Sequence, residues 1–215
     1  GTLQSKDDDL LRIIQATQNT MKSRKLMDRS SSHSSLLDSF AQTLLESDET
    51  TKDHVERTRA LGEKLGKRLS FTDYQMSSLS LLCLLHDVGK LGIPLEILNK
   101  PTKLTPEEMD VMKTHSEKGY RIASASEEFA DIADCILPHH ERWDGKGYPD
   151  GLEKESIPLL SRVISVIDAY DAMTNDRPYH TAVSDEEARV ELKRCSGSQF
   201  DPYIVSELSC IFSIF

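Results

Sequence analysis

Apolar positions recur along this chain at three- and four-residue spacing, not in alternation. That period marks amphipathic helices, and no alternating valine–isoleucine run bounded by paired turn residues competes with it. The spacing predicts helices over roughly 8–30, 35–47, 50–69, 73–89, 106–122, 127–138, 159–174, 185–195 and 202–212. The expected fold class is all-α. Three helix starts carry capping logic. Thr105-Pro106-Glu107-Glu108 supplies an N-cap hydroxyl, a proline at the first helical position and a glutamate at the third. Thr72 with Gln75, and Ser184 with Glu187, repeat the pattern, each satisfying amide donors that would otherwise be orphaned.

The amino-terminal helix stands apart. "LLRIIQATQNTMKSRKLM" has a narrow apolar stripe at Leu10, Ile13, Ile14, Met21 and Met27, and "DRSSSHSS" from Asp28 to Ser35 follows as a linker or interruption. Such a stripe either packs on the main domain or forms a coiled-coil connector that dimerises and carries a signal from an upstream sensor. Residues 1–35 are therefore set apart as a connector, and 36–215 as the main domain. The chain starts at Gly1 and not at methionine, so it is read as a fragment of something longer.

Composition narrows the class. The chain has 215 residues, 38% of them hydrophobic and 29% charged, as in ordinary globular proteins. A formal charge of -10 argues against broad, nonspecific binding to DNA or anionic membrane. It leaves room for a small phosphate ligand, because a bound metal reverses the field locally. The cysteines, Cys83, Cys135, Cys195 and Cys210, form no CxxC pair, which suggests reduced thiols in a cytoplasmic setting. No stretch approaches the roughly 20 apolar residues that span a bilayer, and no secretory signal is visible.

The candidate chemistry lies in the histidines and in aspartates on apolar stripes. The histidines are His33, His54, His86, His115, His139, His140 and His180. Alone, His54 reads as a surface residue, and His86 as a histidine at a favourable helix C-terminus. Asp87, beside His86 at the end of the leucine run 79–85, is harder to explain without a cation, because charge in low dielectric is costly. His115 has Met112 and Gly119 as helical neighbours, which suggests an inward face. His139-His140 follow Pro138 and open a loop holding Trp143, Gly145, Gly147, Tyr148, Pro149 and Gly151. Glycines there permit sharp turns or close approach, and aromatics offer surfaces for a base to stack on. Asp168 and Asp171 extend the stripes of Ile164 and Ile167, where a carboxylate needs a cation or several donors. A metal answers that need; an ion pair with Arg162 or Arg177 is the alternative. Together His54, His86, Asp87, His115, His139, His140 and Asp168 offer nitrogen and oxygen ligands suited to iron, manganese or another divalent ion. Paired metals activate water for in-line displacement at phosphorus, which points to phosphoester hydrolysis.

At this point a family resemblance enters. "HDVGK" resembles the signature of the HD metal-dependent phosphohydrolase superfamily, and "HHERWDGKGYP" carries Gly147-Tyr148-Pro149 in the pattern of its HD-GYP subgroup. "IDAYDAMTNDRPYH" and "QFDP" are similar to that subgroup too, so the resemblance covers about residues 40–212. It implies an all-helical HD fold and a bacterial cyclic di-GMP phosphodiesterase giving linear pGpG, with onward hydrolysis to GMP a further step. It implies two divalent metals, iron or manganese, held by the seven residues above, with Asp87 bridging and a hydroxide on the metals attacking phosphorus. Lys90 would meet the scissile phosphate, Arg177 would hold phosphate, and Gly147 and Tyr148 would shape recognition. Partners so implied are cyclic di-GMP, a second copy through the amino-terminal helix, and GGDEF or other signalling domains, within a cytoplasmic protein or the cytoplasmic portion of a sensor.

Two departures qualify it. Three-metal members carry a glutamate four residues before the first histidine ligand; Thr50 stands there and Glu49 lies one residue early, rotated by about 100° on a helix. This favours two metals and pGpG. His180 follows "RPY" where many relatives carry lysine or arginine, which weakens the grip on a second phosphate. The alternative function is a catalytically weak cyclic di-GMP sensor that keeps the fold and the metals.

Overall fold

The computed structural model describes residues 49–176 and 181–212, with only the backbone of 49–51. The amino-terminal connector, Arg177 and His180 lie outside the described residues, as do the side chains of Glu49 and Thr50. Among the described residues the chain is helical and forms no strand, only the isolated bridges Asp144–Glu153 and Ser196–Phe200.

Helix α1 (Glu49–Arg68) buries Val55, Thr58 and Leu65 along one stripe. Thr72 caps α2 (Asp73–Leu85) through the expected box with Gln75. Leu79, Leu82, Cys83 and Leu85 of α2 are buried against α1. The sequence predicts this helix to run to residue 89, but it ends at Leu85. Asp87 takes φ -97° and ψ 5°, and residues Val88–Gly92 wind as a 3-10 helix. Tertiary contact decides this: the segment lies against the next long helix so closely that a Cβ on Gly89 would sit 1.8 Å from the His115 carbonyl oxygen.

A short helix, α3 (Leu95–Leu98), precedes α4 (Pro106–Lys113), which has the Thr105–Glu108 capping box. The predicted helix 106–122 is interrupted. Thr114 caps α4 with a tight Thr114 N–H to Val111 carbonyl bond of 3.1 Å, and α5 (His115–Ser124) starts afresh. Helix α6 (Ala130–Ile136) ends just before Pro138, and the loop after it leads into α7 (Leu159–Thr174). Helix α8 (Asp185–Arg194) has the Ser184–Glu187 box, and α9 (Pro202–Phe212) follows.

The core gathers around α7. Val163, Ile164, Val166 and Ile167 are fully buried with Leu65, Leu79, Leu82, Ile136, Ile204 and Leu208 from the surrounding helices. Each such leucine or isoleucine contributes about 1.5–3 kcal/mol of burial. The core fixes the ends of α2 and α6 and the middle of α1 and α7, which are the places where the candidate ligands lie. All four cysteines are free thiols. No helix among the described residues is long and apolar enough to cross a membrane.

Candidate metal centre

Five elements converge on one spot. His54 comes from the second turn of α1, His86 and Asp87 from the end of α2, and Asp168 from α7. His139 and His140 follow α6, because Pro138 stops the helix and turns both imidazoles into the interior. His115 opens α5 and is not mid-helix as the periodicity predicts; the break at Thr114 delivers it. The ligand atoms of Asp87, His115, His139 and His140 lie within 4.8 Å of one another, as do those of His54, His86 and Asp87. Asp87 belongs to both groups. Asp168 belongs to neither, but its Oδ1 is 3.7 Å from His54 Nε2.

The ring nitrogens show how the cluster could hold a cation. His86, His115 and His139 each turn Nδ1 to a main-chain carbonyl one turn back, at 3.3 Å from Leu82, 2.8 Å from Met112 and 2.6 Å from Ile136. His54 turns Nδ1 to Asp171 Oδ2 at 2.7 Å. A neutral imidazole has one N–H, so a ring that donates from Nδ1 presents a bare lone pair at Nε2. The Nε2 atoms of His115 and His139 then face each other, lone pair to lone pair, at 3.2 Å. The Nε2 atoms of His54 and His86 are buried with no hydrogen-bond partner. Such an arrangement is repulsive by itself and is made good by a cation, so the donor set fits metal. His140 Nε2 completes one group at 3.1 Å from His115 Nε2.

Electrostatics agree. Burial pushes His139 down to about 3 and His140 down to about 2, and it lowers His115 as well, so these imidazoles are neutral, the form that ligates. Burial works to raise Asp87, but the Lys90 ammonium beside it holds its carboxyl well below the usual range. Lys90 Nζ lies 2.6 Å from Asp87 Oδ2.

The loop after His140 forms one wall. The ring of Tyr148 lies 4.9 Å from that of His140, and Lys113 sits 5.8 Å over its face. Burial raises the Tyr148 phenol, and the negative charges of Asp87 and Asp168 raise it further. Gly147 permits this placement, since a Cβ there would meet Arg142 N and Glu141 Cα at 2.4 Å. Glu141, which sequence reasoning passed over, is buried and accepts from the Asp150 and Gly151 amides at 2.7 and 2.9 Å. Arg57 was missed too. Asp171 pairs with it at 2.5 Å, not with Arg162, whose partner is Asp201, also at 2.5 Å. The available signal was spacing: Arg57 lies three residues beyond His54, and Asp171 three beyond Asp168, one helical turn in each case.

With this geometry in hand, comparison with known proteins is informative. The HD domain family matches residues 32–204. The chain belongs to the HD domain family. Every candidate ligand, with Lys90, Gly147, Tyr148 and Arg177, falls inside the HD match. A cyclic di-GMP phosphodiesterase of Thermotoga maritima is 39% identical over 160 residues, covering 74% of this chain and 44% of that protein. The 3'3'-cGAMP-specific phosphodiesterase 2 of Vibrio cholerae is 35% identical over 160 residues, covering 74% of this chain and 31% of its own length. The chain thus spans less than half of either relative. Among solved structures, the HD-GYP-type protein Bd1817 of Bdellovibrio bacteriovorus shares the fold. Its TM-score is 0.63 and its identity 24%, covering 77% of this chain and 53% of that one.

Proposed function

We propose that this HD domain binds two divalent cations, iron or manganese, and hydrolyses cyclic di-GMP to pGpG. The observation that carries the reading is the set of inward Nε2 atoms: His115 against His139 at 3.2 Å, with the Nε2 atoms of His54 and His86 buried and without a hydrogen-bond partner. His54, His86 and Asp87 would hold one cation, with Asp168 facing the same side. Asp87, His115, His139 and His140 would hold the other, the two Asp87 oxygens being divided between them. Bound there, the cations supply an activated water and charge to stabilise the oxygens at phosphorus.

The remaining roles follow from chemistry and position. Asp87, Asp168 and Lys90 bring both signs of charge to the site. The Lys90 ammonium, now on Asp87, is the donor within reach of a phosphate that enters the cluster, an electrostatic role. Arg177 would take a phosphate oxygen pair. Tyr148, held by Gly147 and the loop, offers a face to a guanine base. The names of the two relatives support a cyclic dinucleotide as substrate and leave the second base to be tested. Residues 36–215 would be the catalytic unit of a cytoplasmic signalling protein. Residues 1–35 would be its dimerising connector to GGDEF or other signalling domains.

The test is reconstitution with Fe(II) or Mn(II) under reducing conditions, followed by product analysis with cyclic di-GMP and 3'3'-cGAMP. Release of pGpG is the expected result. Binding without product would establish the second reading, a weakly catalytic sensor, which Thr50 and His180 favour. Asp87→Ala should abolish both metal binding and turnover. Three fully occupied metals in anomalous diffraction would overturn the two-metal assignment.

A further inference from the structure

Four histidines of the cluster have a described Nδ1 partner, and one partner differs from the rest. His86, His115 and His139 lean on main-chain carbonyls, which are neutral acceptors. His54 leans on a carboxylate, Asp171 Oδ2, at 2.7 Å. The other end of the same ring faces Asp168 Oδ1 at 3.7 Å. Consecutive turns of α7 thus place one carboxylate at each nitrogen of a single imidazole.

Asp171 is itself fixed. It is buried, and Arg57 approaches from α1 with Nε on Oδ1 at 2.5 Å and Nη2 on Oδ2 at 3.1 Å. Asn175 adds a bond to Oδ1 at 3.1 Å and another to the Asp171 main-chain carbonyl at 2.9 Å. A carboxylate behind a ligating imidazole fixes the Nδ1–H tautomer, sets the ring's direction and makes Nε2 a stronger donor to metal. Arg57 and His54 are one turn apart on α1, so the fork that holds Asp171 is built on the same helix as the ring it orients.

We propose that Asp171, clamped by Arg57, is a positioning residue that makes the two cation positions unequal, strengthening the one at His54. This rests on the two-cation reading above. Removing the carboxylate weakens that position alone; the Asp87–His115–His139–His140 position, whose rings lean on main-chain carbonyls or carry no carboxylate behind them among the described bonds, is left unchanged.

The experiment is a Co(II) titration of the metal-free chain, followed by calorimetry and by the visible spectrum of the bound ion. Wild type should take two equivalents. Asp171→Asn should lower the affinity of one equivalent by about 10–100-fold and leave the other as it was. In a His140→Ala background, where the His54 position is the one that remains intact, the same substitution should weaken the residual binding by the same factor. Asn175→Ala removes one bond to Asp171 Oδ1 but keeps the Arg57 fork, and should weaken the same single position by less than Asp171→Asn does. If Asp171→Asn does not fold, Arg57→Lys keeps the carboxylate and loses the fork, and it should weaken the same single position more mildly. A second readout needs no metal. In histidine-labelled protein the 15N spectrum should show His54 as the Nδ1–H tautomer, and Asp171→Asn should abolish that preference. If wild type binds no Co(II), the two-cation reading falls. If it binds two and Asp171→Asn binds both as tightly, or loses both equally, the positioning role falls while the cation reading stands.

Discussion

Replacing Gly89 with alanine puts a methyl group where the 3-10 segment crosses α5. The added Cβ would lie 1.8 Å from the His115 carbonyl oxygen and 2.5 Å from the Gly119 amide nitrogen, where real Cβ atoms essentially never come within 3.0 Å. Both neighbours are main chain, so no rotamer change relieves the clash. The seam itself must open, and it runs between two proposed ligands, Asp87 and His115, whose Oδ1 and Nε2 are 3.5 Å apart. Overpacking of this kind costs about 1–3 kcal/mol, which lowers the melting temperature by several degrees in a chain of this size. A displacement of about 1 Å among reacting groups costs roughly 100-fold in rate. Gly89→Ala should therefore melt earlier, bind metal more weakly and turn over cyclic di-GMP about 100-fold more slowly. Gly92→Ala is the control, since its Cβ meets side-chain atoms of Lys118 alone, the nearest being Cδ at 2.8 Å, and a flexible side chain can shift where main chain cannot. The assays are thermal melting of the metal-free proteins by circular dichroism, metal titration and initial rates. Wild-type melting and metal affinity in Gly89→Ala, or an equal loss in Gly92→Ala, would refute the reasoning.

Metal-free protein should lose stability in mild acid. His139 and His140 are depressed to about 3 and about 2 from an ordinary 6.5, so their contribution is complete above about pH 6.5 and drains away below it. At pH 5.5 the loss is on the order of 1 kcal/mol for each, and a urea midpoint unchanged between pH 7.5 and 5.5 would contradict it. Arg162→Ala should destabilise by about 1–3 kcal/mol, because it leaves the buried Asp201 carboxylate with the Tyr203 amide on Oδ1 and no arginine on Oδ2; a cost under about 0.5 kcal/mol in denaturant would show the pair to be dispensable. Tyr148→Ala should raise KM for cyclic di-GMP by an amount worth about 1–3 kcal/mol, with Tyr148→Phe near wild type. Equal KM values for all three proteins would remove the ring from substrate binding.

Local chemistry was legible in the sequence, and long-range contact was not. The caps at Thr72, Thr105 and Ser184 stand where they were expected, because a capping box is complete within four residues. The break at Thr114 was hidden. Residues on both sides keep a helical period, and the break lies where Gly89 of another element comes too close to the His115 carbonyl to leave room for a Cβ. Helix α3 spans four residues between Pro94 and Asn99, too few to display any period. The candidate histidine ligands were conspicuous as the pairs His86-Asp87 and His139-His140 beside helix ends. Their supports were not. For Asp171 the sequence suggested Arg162 or Arg177, and only the packing of α1 on α7 selects Arg57, 114 residues away in sequence. Glu141 was overlooked because it follows two histidines and looks like an ordinary surface charge, yet its amide partners lie nine and ten residues later.

The proposed ligands are strewn from residue 54 to residue 168, and His54 and its support Asp171 are separated by 117 positions. No short fragment of the chain carries more than two of the proposed ligands, so either complete set would form only in the folded protein. Each would then add about 2.7 kcal/mol to native stability at a hundredfold excess over its Kd. In a cell short of the metal, idle sites would be half of the damage. The other half would be chain surrendered to proteases, so the quantity of this protein would itself register how well the cell is supplied.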